Sequence, residues 1–273
     1  MSPGLAAMTI GGVRLEYRWT GPPAARGRTP VVMLHEGLGS VSTWRDFPDA
    51  LADKLGSPVL VYSRQGHGGS DPCPGAREPT YMHHEGEVVL PQLLSALDIE
   101  RPLLFGHSDG GSIALIYASA YPDAVSGLIL EAPHVFVEDL TVRSIAAIGA
   151  AYGSGDLRAR LGRHHRDPDH TFWGWNAIWL DPRFRDWNIE ARLERIEAPA
   201  LLLQGEEDEY GTAAQLDAIA ARTPATHIAL LEACGHAPHR DRREAVLEHT
   251  GAFVAALGSA GGNRASEEAG APR

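Results

Sequence analysis

The chain has 273 residues, 44% hydrophobic and 22% charged, which sets it among soluble globular proteins long enough to bury a substantial core. A formal net charge of −11 speaks against a nucleic-acid-binding surface, which would be basic, and no apolar run approaches the roughly 20 residues a membrane helix needs. Two distant cysteines, Cys73 and Cys234, give no disulfide framework, and residues 1–8 lack the basic-then-apolar pattern of a signal peptide, so a cytoplasmic location is expected.

There is no internal repeat. Residues 12–19 alternate like a half-buried strand, and a turn-rich loop follows. Val31–Leu34 is a continuous apolar run of the kind a sheet covered on both faces needs. It leads into His35-Glu36-Gly37-Leu38-Gly39-Ser40, then a predicted helix over 42–55 and a strand over 58–62. The glycine-rich turn Ser63-Arg64-Gln65-Gly66-His67-Gly68-Gly69-Ser70 lacks the lysine and spacing of a phosphate loop, and a tight strand-to-helix connection explains its glycines. A helix is predicted over 84–97.

Next comes the stretch around which the chain is organised. A short apolar strand over 103–105 runs into Gly106-His107-Ser108-Asp109-Gly110-Gly111, followed by the helix-competent run Ser112-Ile113-Ala114-Leu115. Strand, tight turn and helix with serine at the centre of G-x-S-x-G is the context of a nucleophile elbow. Glycines at 106 and 110 let the strand and helix pass closely, which lifts Ser108 off the sheet. The N–H of Asp109, at the helix start, then points to where an oxyanion would form.

A strand over 125–130 follows, and from 134 to 198 the alternating rhythm breaks. This block is too long for a simple crossover helix and holds Trp173, Trp175, Trp179 and Trp187, four of the six tryptophans. It reads as a helical cap over the carboxyl edge of the strands, with some indoles packing the cap and one or two facing an apolar substrate. The rhythm resumes with a strand over 200–204, a helix over 213–221, a strand over 226–231 and a closing helix over 243–257. Strands alternating with helices imply an α/β fold with a largely parallel sheet. The expected division is a core of 1–133 plus 199–257, the cap 134–198, and a disordered tail 258–273 rich in Gly, Ala, Ser and Glu.

A serine hydroxyl needs a neighbouring base. His236, in Cys234-Gly235-His236-Ala237-Pro238-His239, leaves the last predicted strand at the same sheet edge as the elbow, and its neighbour His239 is expected to be structural. The imidazole needs a carboxylate to fix its tautomer. Asp208 follows the preceding strand, and Glu131, at the end of the strand before the cap, is the alternative acid. Cys234 reads as a small buried apolar residue. His83-His84 and His164-His165 read as solvated surface, since adjacent histidines point different ways and no spaced ligand set accompanies them.

On the elbow, the Gly205-Glu206-Glu207-Asp208 and Cys234-to-His239 segments and the 64–70 turn, residues from about 31 to 254 resemble the α/β-hydrolase superfamily. The order Ser108, Asp208, His236 is that of the superfamily. The resemblance implies an eight-stranded, mostly parallel sheet with helices on both faces, a cap between strands six and seven, and no cofactor; on the histidine pattern above, no metal is expected either. Relatives that open epoxides or remove halides have aspartate where Ser108 stands, so those activities are not expected. Relatives commonly carry His-Gly-x after the first parallel strand, and on that alignment His35-Glu36-Gly37 makes the Gly37 N–H the second oxyanion donor. Glu36 departs from the pattern. Two carboxylates, Glu36 and Asp109, thus adjoin the two expected donors, and an unpaired charge facing an oxyanion would oppose catalysis. Both side chains are expected to turn away, neutralised by Arg64 and His67, or else to reach water.

The expected function is that of a serine hydrolase acting through an acyl-enzyme on a small or medium, partly apolar ester, lactone or thioester. Glu36, Trp173, Trp175 and Trp179 are the expected pocket residues. One alternative cleaves a carbon–carbon bond in an anionic aromatic ring-fission product, with Arg158, Arg160, Arg163 or Arg166 facing the pocket. Another is a ligand-binding protein with a hydrolase shell. The expected partner is a small-molecule substrate, not a nucleic acid or a membrane, and the oligomeric state is not legible.

Overall fold

Runs of consecutive apolar residues become strands because both faces of the sheet are covered, so every position gains from leaving water. A computed structural model of the protein describes residues 4–22, 28–223 and 225–268. Its strands are β1 (Ala6–Ile10), β2 (Val13–Thr20), β3 (Val31–Leu34), β4 (Val59–Tyr62), β5 (Leu103–His107), β6 (Gly127–Glu131), β7 (Ala200–Gly205) and β8 (Thr226–Leu231). They form one sheet in the order β1-β2-β4-β3-β5-β6-β7-β8, antiparallel at the β1–β2 and β2–β4 pairs and parallel elsewhere. Every residue of β3 to β7 is buried. Side chains alternate between two cores: Val32, Leu60, Leu104 and Leu128 on one face, Val31, Val59, Leu103 and Ile129 on the other. Strand β1, mostly exposed and without an apolar run, is absent from the sequence reading.

Helix α1 (Phe47–Leu55) is shorter than expected. Arg45 sits at φ 55°, in the left-handed region, so helical geometry cannot extend back to residue 42. The helix expected over 84–97 is a composite rod: α2 (Tyr81–His84), a π turn (Glu85–Val89) and α3 (Leu90–Ala96). The π turn has a local cause. Pro91 has no N–H to give the Glu87 carbonyl, which accepts instead from the Tyr121 hydroxyl at 2.9 Å.

Helix α4 (Asp109–Ala120) leaves β5 and is almost wholly buried. Between β6 and β7 lie α5 (Asp139–Ala151), α6 (Leu157–Leu161), α7 (Pro168–Trp179) and α8 (Glu190–Leu193). Helix α7 starts where the Asp167 side chain accepts from the His170 N–H at 3.0 Å, with Pro168 in its first turn. After β7 come α9 (Ala214–Ala220), α10 (Pro238–Asp241) and α11 (Arg243–Glu268). Helix α11 runs through Gly258, Gly261 and Gly262, where the sequence reading ends it at 257 and begins a disordered tail. Ala260 between those glycines and Ala265, Glu267 and Glu268 beyond them favour helix, and residues 269–273 lie outside the described ones. Among the described residues no helix is long and apolar enough to cross a membrane.

Candidate active site

The site begins with a strained residue. Ser108, between β5 and α4, has φ 52° and ψ −119°, a conformation held only because its surroundings determine it. A Cβ on Gly106 would lie 2.5 Å from the Gly110 carbonyl oxygen, and one on Gly110 would lie 2.0 Å from that of Leu34. The two glycines are therefore demanded by backbone passing backbone.

The carboxyl ends of β7 and β8 bring the partners. His236 Nε2 lies 2.9 Å from Ser108 Oγ, and His236 Nδ1 lies 2.8 Å from Asp208 Oδ1. A carboxylate only accepts, so Nδ1–H donates to Asp208 and Nε2 is free to accept the serine proton. Asp208 is itself fixed: Oδ1 also accepts from the N–H groups of Tyr210 (2.8 Å) and Gly211 (3.2 Å), and Oδ2 from Gln204 Nε2 (3.1 Å). Burial pulls the His236 pKa down, but the hydrogen bond and charge of Asp208, helped by Glu209 and Glu36, outweigh it and hold it above 6.5. Burial pushes Asp208 up, and the His236 and Tyr210 hydrogen bonds outweigh it and hold its carboxyl below the ordinary value. Such a chain can take a proton from a hydroxyl and stabilise the resulting imidazolium.

Glu131 and His239 pair with each other. His239 Nδ1 donates to Glu131 Oε2 at 2.6 Å, with its ring tilted against Trp44 at 4.5 Å between centroids. His107 Nε2 donates to the backbone carbonyl of His236 at 2.6 Å and so supports the loop carrying that residue. His107, Glu131 and His239 are also the one set of three metal-type donors gathered among the described residues, with ligand atoms within 4.8 Å of one another. An N–H of each imidazole in it is already engaged in a hydrogen bond.

The loop after β3 lies opposite Ser108. Gly37 is pressed against the insert, where a Cβ would fall 2.1 Å from Trp175 Nε1. The Asp109 side chain is held by other groups: Tyr81 Oη donates to it at 2.7 Å, Trp179 Nε1 at 3.3 Å, and Arg64 Nη2 stands 3.9 Å away. Glu36 differs from expectation. Arg64 donates instead to the backbone carbonyls of His35 and Glu36, the latter at 3.0 Å. His67 donates through Nδ1 to the Gln65 carbonyl at 3.0 Å and accepts from Arg77 at Nε2. Neither cation candidate reaches the Glu36 carboxyl, whose Oε2 is buried without a hydrogen-bond partner. Burial raises its pKa against the opposing pull of Arg64 and His239.

Ser108, Asp109, Glu36, Gly37 and His236 line one cavity of about 560 Å³, walled by Ile145, Ile148, Leu157 and Leu161 of the insert. Trp175 and Trp179 are in the wall. Trp173 is not: it is 47% exposed, packed on Tyr152 and Phe172, because two residues along a helix turn a side chain to nearly the opposite face. Trp187 is buried in the core against Phe184. Of the four arginines proposed for an anionic substrate only Arg160 lines the cavity; Arg158 pairs with Asp169 and Arg166 donates to the Gly69 carbonyl. His165 is not solvated. It is buried, takes the Gly68 N–H at Nδ1 (2.9 Å) and donates to the Leu38 carbonyl (2.8 Å), tying the insert to two core loops. Cys234 is buried as expected, and burial pushes its thiol up to about 11.

A doubly covered, mostly parallel sheet with a strained serine between β5 and α4 defines the class as that of α/β-fold hydrolases. The family model described as "Alpha/beta hydrolase family" matches residues 31–249, and the chain belongs to that family. The chain is 26% identical to a proline iminopeptidase of Lactobacillus helveticus over 292 aligned positions, covering 92% of this chain and 95% of the relative. Among solved structures it resembles a proline iminopeptidase from Mycobacterium smegmatis, with TM-score 0.75, 20% identity and coverage of 94% of this chain and 100% of the other. It likewise resembles an enol-lactonase from Burkholderia xenovorans, with TM-score 0.72, 19% identity and coverage of 92% and 100%.

Proposed function

We propose that the protein is a serine hydrolase that cleaves a small or medium, partly apolar carboxylic ester through an acyl-enzyme, with lactones and thioesters as variants of the same chemistry. Ser108 attacks the carbonyl while His236 takes its proton. Asp208 holds the imidazole tautomer and stabilises the cation. The Gly37 and Asp109 N–H groups receive the oxyanion. His236 returns the proton to the leaving group, and a water activated by the same imidazole releases the acid. Helices α5 to α7 act as a cap that excludes bulk water from the cavity.

The observation carrying this reading is the unbroken hydrogen-bond chain from Ser108 Oγ through His236 to Asp208, opening into a cavity with an apolar wall. The kinship with iminopeptidases and an enol-lactonase supports it, since both cleave acyl bonds. A fluorophosphonate probe tests the nucleophile: it should label the wild type at Ser108 and leave Ser108→Ala untouched. A panel of p-nitrophenyl esters, lactones, thioesters, prolyl amides and ring-fission products, with Ser108→Ala as blank, tests the substrate. Folded protein that the probe does not label would point to a binding protein, and turnover confined to ring-fission products would point to carbon–carbon cleavage.

A further inference from the structure

The charged groups around Ser108 form a nearly complete set of pairs: Asp208 with His236, Glu131 with His239, and Asp109 with Arg64, Tyr81 and Trp179. Glu36 stands outside this set. It lines the same cavity as Ser108, and its Oε2 has no hydrogen-bond partner. The loop is shaped to hold it there, because a Cβ on Gly39 would lie 2.4 Å from that oxygen. Glu36 shares the wall of that cavity with His236 and Tyr210, beside the reacting centre. The groups facing it from the packed elements are Arg64 after β4, Asp109 on α4, and His236 and His239 after β8. Each of these is engaged elsewhere.

An ionised, unpartnered carboxylate next to an oxyanion site is costly, both as a buried charge and as a repulsive neighbour in the transition state. A positive group on the substrate removes both costs at once. It converts the buried charge into a charge-assisted hydrogen bond and cancels its field at the oxyanion. From this we propose that Glu36 is a substrate-recognition residue that binds a protonated amine carried on the acyl part of the substrate. The chain is thus selective for amino-acyl over purely apolar acyl groups. This rests on the serine-hydrolase reading and narrows its substrate class.

The test compares isosteric benzyl esters in which an ammonium replaces a methyl group: alanine against isobutyrate, and 4-aminobutyrate against pentanoate. Released benzyl alcohol gives kcat/KM for each. In the wild type the ammonium member of at least one pair should be favoured by about tenfold or more, which corresponds to about 1.4 kcal/mol. In Glu36→Gln, which keeps size and shape, that ratio should fall towards one. A wild-type ratio at or below one in both pairs, or a ratio unchanged in Glu36→Gln, overturns the proposal. Binding of the same esters to Ser108→Ala by calorimetry gives a reading independent of turnover. Tighter binding of an ammonium member, lost in Ser108→Ala/Glu36→Gln, supports the amine site even if no ester is hydrolysed. Equal binding within both pairs refutes it. Failure of the hydrolase reading itself would appear separately, as absent fluorophosphonate labelling of Ser108.

Discussion

Replacing Asp208 with asparagine tests the hydrogen-bond chain most directly. The carboxylate accepts four N–H groups, from His236, Tyr210 and Gly211 at Oδ1 and from Gln204 at Oδ2. An asparagine must set its NH₂ against donors whichever way it is turned. With the amide nitrogen towards Gln204, His236 keeps a neutral acceptor but loses the anion that stabilises its cationic form. With the nitrogen towards His236, Nδ1 must accept, the ring proton moves to Nε2, and the base for Ser108 is gone. The expected loss in kcat/KM is about 10³ to 10⁴-fold, or about 4–5.5 kcal/mol of transition-state stabilisation. The pH profile adds a second readout. His236 acts as base when neutral, so activity rises with pH through its pKa. In the wild type that limb lies above the ordinary 6.5, because Asp208 outweighs burial. Without the carboxylate only burial and the weaker neighbouring acids remain, and the limb should move to lower pH. An ester-hydrolysis profile from about pH 5 to pH 9 on both proteins decides it. A loss under about tenfold, or a limb that stays in place, would refute the assigned role of Asp208.

Gly110→Ala should lower stability by about 3 kcal/mol or more, since its Cβ meets the Leu34 carbonyl oxygen at 2.0 Å. Gly258→Ala, in an open helical position, should gain about 0.5–1 kcal/mol; urea denaturation measures both. Glu131→Gln should cost about 1–3 kcal/mol of stability through His239 while leaving kcat/KM within about tenfold of wild type, unlike Asp208→Asn. Trp175→Ala should destabilise by about 3–5 kcal/mol and depress kcat/KM, whereas exposed Trp173→Ala should change stability by less than about 1 kcal/mol and turnover hardly at all.

The elbow and its partners were legible because hard sterics and chain order determine them. Glycines two positions either side of Ser108 have one reason to be there, and apolar runs ending in Asp208 and His236 deliver their side chains to a common edge. Long-range polar pairing was not legible. Nothing local distinguishes His165, which fills a gap between two distant carbonyl and amide groups, from a solvated histidine. The fate of Glu36 was equally hidden, because it depends on Arg64 choosing backbone carbonyls over the carboxylate. The indoles offered an unused clue. Trp175 and Trp179, four apart on α7, share one face, whereas Trp173 lies two residues from the first of them.

The four-helix insertion separates the strand that leads into Ser108 from the two after which Asp208 and His236 lie, and Ser108 and His236 are 128 positions apart. A growing polypeptide therefore carries Ser108 with no imidazole beside it until the segment after β8 has been made.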